Sequence, residues 1–203
     1  GLGQIDTGNY ELTARTAAVT DVYSLVAALA TSGLGYIYEN AQGQISYADS
    51  THRTQYLATN GYVDVSANQA LASGIKIQTR SGDVRNDVTI KYGANSSSEV
   101  SDEDLASVAT FGRLAQVITT TLHDQPDAES QAAFYLTLRA FPEAMMQSIT
   151  YELTNPELDD ADRDSMINIF MGMPLRIANL PANMTAGQYL GFVEGWQFSA
   201  GYN

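Results

Sequence analysis

The stretch NDVTIKYGANSSSEVSDED, Asn86 to Asp104, decides how the chain is organised. Its first half alternates. Val88, Ile90 and Tyr92 fall on one face of an extended chain, and Asp87, Thr89 and Lys91 on the other. That is the pattern of a strand with one buried face. From Asn95 onward the letters are serine, asparagine and acid, and they read as a loop. The reading therefore places a break here. Residues 1–94 form a module of helix, β-hairpin and strands, and 95–203 form a β-barrel-like module with one long helix. The boundary is soft, because two such halves can interleave.

Toward the N-terminus, SGIKIQTR and GYVDVSA read as further strands, and THRTQYLATNG as a polar link. YIYENAQGQISYAD is a β-hairpin, with alternation on both sides of the turn letters Asn40 to Gly43. Before it, TDVYSLVAALATSGLG is a helix. Val22, Leu25, Val26 and Leu29 share one face, Thr20 or Asp21 caps the start, and Gly33 marks the stop. GNYELTARTA reads as a short strand.

Toward the C-terminus, SVATFGRLAQVITTTL is rich in β-branched residues and reads as extended. HDQPDAESQAAFYLTLRAFP is a helix. Asp124 caps it, Pro126 lies in its first turn, Asp127 and Glu129 suit its positive end, and Pro142 ends it. MMQSITYEL is a strand and DDADRDSMINIF a short helix. PLRIANL and GQYLGFVEGWQFSAG are closing strands joined by the loop from Leu180 to Gly187. The residues point to an α+β, strand-rich fold.

The net charge of −13 is uneven. Residues 1–100 carry 6 basic and 9 acidic side chains, and residues 101–203 carry 4 and 14. Such a chain repels phosphate backbones, so nucleic-acid recognition is not expected. No apolar run approaches the roughly 18 residues of a membrane helix. GLGQIDTGNY has neither a basic start nor an apolar run, and it lacks an initiator Met, which suggests a piece of a longer chain. With no cysteine, disulfides and thiolate metal ligands are excluded.

Chemical motifs are sparse. Asp159, Asp160, Asp162 and Asp164 begin like a calcium loop, but Ser165 stands where the loop needs glycine and Met171 where it needs glutamate. The same acids suit a helix N-terminus. His52 lies beside Asp49, Ser50 and Thr51, yet no nucleophile elbow occurs, and His123 reads as a polar loop residue. GLGQIDTG lacks the strand and third glycine of a dinucleotide loop. No cofactor, metal or catalytic residue is expected. Twelve tyrosines offer either half-buried strand packing or a stacking surface.

Four blocks, in order, carry a resemblance. GLGYIYENAQGQISYADSTHR resembles a G-x-x-Y-x-D-x-x-G-x-I-x-Y-x-D-x-x-x-R segment of minor tail proteins of long-tailed bacteriophages. ASGIKIQTRSGDVRNDVTIKYG resembles the next block, with its D-x-x-N-D-V-x-V strand. SVATFGRLAQVITTTLHDQPDAESQAAFYLTLRAFPEAMMQSITYEL resembles the third, Phe111-Gly112-Arg113 standing for a Tyr-Gly-Arg triplet. MGMPLRIANLPANM with GFVEGW resembles the closing block, although Met173-Pro174 departs from its Gly-Asp pair. The resemblance covers nearly the whole chain.

It implies a tail-tip or baseplate hub module, built from tail-tube-like β-barrel or sandwich modules with flanking helices, at the distal end of a virion tail. The partners it implies are further copies of the chain (a homotrimer), other tail proteins and, through the assembled tip, a host receptor. Leu175, Ile177, Phe192, Val193, Trp196 and Phe198 would then lie in barrel strands. The expected subunit contact is Leu180, Pro181, Asn183, Met184, Tyr189 and Trp196. The alternatives are a receptor- or polysaccharide-binding module of a tail, or a cell-wall hydrolase carried on it.

Overall fold

The computed structural model describes residues 1–15, 17–182 and 187–201. The chain divides into two compact units, and neither is continuous in sequence. Unit 1 combines Gly1–Thr51 with Arg80–Glu143, and unit 2 combines His52–Thr79 with the described residues from Ala144 onward.

Unit 1 holds two three-stranded sheets. In the first, β1 (Leu2–Ile5) lies parallel to β3 (Ile45–Ala48), which pairs antiparallel with β2 (Tyr36–Glu39). Asn40 closes the hairpin turn by accepting from the backbone N–H groups of Gln42 and Gln44. Helix α1 (Val22–Ser32) precedes the hairpin, capped by Asp21, which accepts from the Ser24 N–H. Gly33 is its C-cap.

In the second sheet β6 (Asp87–Tyr92) is central, antiparallel to β7 (Ser98–Glu103) and parallel to β8 (Ala115–Thr119). Helix α4 (Gln125–Arg139) packs on β6 and β7, with Asp124 accepting from the Asp127 N–H and Pro126 in its first turn. Val88 and Ile90 of β6, Leu122, and Ala128, Ala132 and Leu136 of α4 form the buried core.

The segment expected to separate two modules forms instead the turn and second strand of the β6–β7 hairpin, inside unit 1. Only the turn is loop-like. Gly93 opens it at φ 76°, ψ −175°, a region open essentially to glycine. The Ser98–Glu103 strand was illegible because β7 is a sheet edge. Val100 alone among its side chains packs against the core, and pairing with β6 overrides weak strand propensity.

Unit 2 contains helix α2 (His52–Asn60), read as a polar link in the sequence. It buries no residue, and Gly61 at φ 73° stops it. β4 (Val63–Ser66), β10 (Pro174–Ala178) and β11 (Tyr189–Phe192) form a sheet with β10 central, parallel to β4 and antiparallel to β11. β5 (Lys76–Thr79) pairs with β9 (Ala144–Ser148). Helix α5 (Asp160–Ile167) lies between β9 and β10 in sequence. Val65, Ala67, Ile177 and Leu180 form the core, with Tyr151 and Tyr189 packed against it. Burial raises the Tyr151 phenol well above its usual range, Asp162 adds to the rise, and its hydroxyl donates to the Ser66 carbonyl.

The α+β class therefore stands. Among the described residues the strands form four small open sheets, and none closes into a barrel. The C-terminal strand also ends early. Phe192 is its last residue, and Val193, Trp196 and Phe198 lie outside any strand.

One further helix, α3 (Leu105–Phe111), occupies a segment read as extended. Asp104 caps it by accepting from the Ser107 N–H, and Gly112 ends it at φ 76°, ψ 172°. Local capping outweighs the β-branched composition.

Candidate functional site

The four sequence blocks meet in pairs in space. Asn86, of the second block, is fully buried. Its Nδ2 donates to the Gly112 carbonyl (2.8 Å) and to Ser107 Oγ (3.1 Å), and its Oδ1 accepts from the Leu114 N–H (2.7 Å). Ser107 passes the chain of bonds on to the Ala140 carbonyl at the end of α4. Next to it, Asp87 stands directly across the ladder from Glu103. Two facing carboxylates repel. Arg113 answers both, Nη1 to Asp87 at 2.9 Å and Nη2 to Glu103 at 2.5 Å. Phe111 meets Phe141 edge-on, with centroids 6.1 Å apart. The Phe111-Gly112-Arg113 triplet is thus a corner that joins α3 and β8 to the hairpin.

The first and last blocks meet in unit 2. Arg53, at the start of α2, pairs with Glu194 (2.6 Å) and stacks over the Phe192 ring at 5.5 Å. Arg176 of β10 pairs with Asp64 of β4, its parallel neighbour in register. That hydrogen bond holds the Asp64 carboxyl below its usual range. These residues hold elements together.

The residues of the expected subunit contact differ in burial. Leu180 belongs to the unit 2 core and Tyr189 packs against it. Pro181 is exposed, and Trp196 is 47% exposed. Asn183 and Met184 lie outside the described residues. Asn179 holds the start of the loop at φ 59° and donates to Ser66 Oγ.

Other candidate groups have structural roles. Asp159 and Asp162 form a reciprocal capping box on α5, and Asp162 also accepts from Gln69. Asp49 closes a turn by accepting from the Thr51 N–H and hydroxyl, and Asn9 reaches Asp49, Ser50 and Thr51. Glu11, His123 and Asp124 place ligand-type atoms within 4.8 Å of one another, a grouping invisible in sequence. The Leu12–Leu122 bridge brings these distant segments together. His123 lies 3.6 Å from Glu11, and Asp124 caps α4, whose positive end opposes a cation.

The sequence also hid a cleft. Between α1 and the first sheet lies an apolar recess of about 370 Å³, lined by Leu2 and Ile5, by Val26 and Leu29, and by Ile37 and Ile45. Asp6 is the one charged side chain in its lining. Burial raises the Tyr47 phenol at its wall, and Asp49 and Asp6 add to the rise.

No protein-family model matches the chain, and no curated protein matches it. Among solved structures it is similar to the prophage tail protein gp18 from Listeria monocytogenes EGD-e, with a TM-score of 0.48 at 10% sequence identity. The similarity covers 94% of this chain and 53% of that one, so the chain spans about half the length of the protein it matches. At that identity and score the likeness establishes neither a shared fold nor a shared role. No helix of the described residues is long and apolar enough to cross a membrane.

Proposed function

We propose that the chain is a structural component of a bacteriophage tail, part of the tip or baseplate hub at the distal end, and that it works by assembly with copies of itself and with other tail proteins rather than by catalysis. The ordered resemblance of four sequence blocks motivates this reading. The observation that carries it is that edge strands of both units leave large apolar side chains in water. Leu2 and Ile5 on β1, Val117 on β8, Met145 on β9 and Leu190 on β11 are all exposed. Each of these strands lies at the rim of a sheet of two or three strands. An isolated protein blunts such edges, and an assembling one pairs or covers them.

A homotrimer and a host receptor reached through the assembled tip belong to the same reading. A polysaccharide-binding module fits less well. Sugar sites combine aromatic platforms with polar groups, and the cleft of unit 1 is walled mainly by aliphatic side chains.

Immunogold electron microscopy of purified virions of the encoding phage, with antibody against this chain, tests the reading. Label confined to the distal end of the tail is expected. Label on the capsid, or on no part of the particle, would overturn it.

A further inference from the structure

Glu11 and His123 are far apart in the sequence, and main-chain pairing holds them side by side. Leu12 bridges Leu122 antiparallel, the Thr13 N–H donates to the Thr121 carbonyl at 2.8 Å, and the His123 N–H donates to the Glu11 carbonyl at 2.9 Å. Leu122 is buried in the unit 1 core and Leu12 packs against that core, so the pairing is anchored. The next residue, Asp124, is fixed as the N-cap of α4, its Oδ1 accepting from the Asp127 N–H. Three side chains with fixed roots therefore converge. Glu11, His123 and Asp124 bring ligand-type atoms within 4.8 Å of one another, and His123 Nδ1 stands 3.6 Å from Glu11 Oε1.

The charge around them is one-sided. Asp127 adds a third carboxyl, its Oδ2 accepting from the Glu11 N–H at 3.1 Å. Among the described residues, arginines pair with acids at Asp64, Asp83, Asp87, Glu103, Asp160 and Glu194, but neither lysine nor arginine pairs with Glu11, Asp124 or Asp127. The positive end of α4 opposes a cation with roughly half an elementary charge. The three carboxyls, ionised, carry six times that charge in the opposite sense. The balance at this point of the surface favours a cation.

We propose that Glu11, His123 and Asp124 bind a divalent transition-metal ion of the zinc class, which clamps the N-terminal segment to the start of α4. The donor set chooses the ion. One imidazole nitrogen with two carboxylate oxygens suits zinc and its neighbours, whereas calcium and magnesium take oxygen ligands. Zinc holds such ligands at about 2.0–2.2 Å, which sets tetrahedral ligand atoms about 3.4 Å apart. The Nδ1–Oε1 pair is already near that spacing, and both side chains are more than half exposed, free to turn the remaining distance. Asp124 caps through Oδ1, which leaves Oδ2 for the ion. Three protein ligands leave the fourth position to water. The clamp joins segments of one chain, so it stands apart from the tail reading.

The experiment is isothermal titration calorimetry of zinc chloride into the chelator-treated chain, with thermal unfolding followed over the same zinc concentrations. One zinc per chain is expected, with a melting temperature that rises with zinc. His123→Ala and Glu11→Gln should each weaken binding by at least about tenfold, the lower bound for loss of even an outer-shell partner, and should suppress the rise in melting temperature. His52→Ala, which removes the other histidine, should bind as wild type does. His123 and Glu11 are exposed, so the variants keep their fold, checked by circular dichroism. If one loses structure, the other carries the same prediction. No zinc binding, or a His123→Ala variant that binds as wild type does, would overturn the site. Calcium bound as tightly as zinc would overturn the choice of ion.

Discussion

Replacing Asn86 by alanine removes one side chain and three hydrogen bonds at once. In the native chain the amide is buried, donates to the Gly112 carbonyl and Ser107 Oγ, and accepts from the Leu114 N–H. Alanine reaches none of these. Ser107 keeps its bond to the Ala140 carbonyl, so its loss is the smallest. The Gly112 carbonyl and the Leu114 amide lose their partners in partly buried surroundings, at about 0.5–1.5 kcal/mol for each bond. The combined cost is about 1–3 kcal/mol, against a total stability of about 5–15 kcal/mol for a typical domain. Urea unfolding followed by far-ultraviolet circular dichroism measures it as a lowered midpoint. Thr89→Ala, which removes an exposed hydroxyl contact to Ser101, serves as the control and should shift stability by about 0.5 kcal/mol or less. A loss below about 1 kcal/mol for Asn86→Ala would refute the claim that this residue latches α3 and β8 to the hairpin.

Three further outcomes follow from the same geometry. Gly112→Ala forces a Cβ into a backbone region reserved for glycine and should cost about 1–3 kcal/mol, read as a lower melting temperature; an unchanged melting temperature would contradict the corner's geometry. Arg53→Ala removes both the Glu194 pair and the Phe192 stack and should cost about 1–2 kcal/mol, seen as lower protection of α2 amides in hydrogen exchange; unchanged protection would show that α2 is held by other contacts. Acid should weaken unit 2 through Asp64. Its folded pKa is depressed by the Arg176 hydrogen bond, so that stability is present above the unfolded value near pH 4 and is lost as pH falls through the folded value. Asp64→Asn should flatten that part of the pH–stability curve, and an unaltered curve would mean the pair contributes nothing.

What the sequence disclosed was local. The alternation of Val88, Ile90 and Tyr92, the Asp21 and Asp124 caps, the Asn40 turn and the acids before α5 all act within a few residues, and each proved structural as read. What it withheld depends on distant pairing. β7 is a strand because β6 lies beside it, and SVATF is helical because Asp104 and Gly112 bound it. HRTQYLATN is a helix despite burying nothing. Its available signals were the Asp49 to Thr51 cap letters and the stop at Gly61. Burial of the residues expected at the subunit contact was illegible for the same reason. Burial of Leu180 is set by Val65 and Ile177, from strands 112 positions apart in the sequence. The cleft was out of reach altogether, because it depends on how far α1 stands from a sheet whose parallel β1–β3 pair links the two ends of the first 48 residues.

The most direct test of the central claim is the solution mass of the chain, measured by light scattering across a concentration series. The account predicts a concentration-dependent rise from the protomer mass to a defined multiple of it. A single protomer mass at every concentration would contradict assembly of the chain with itself.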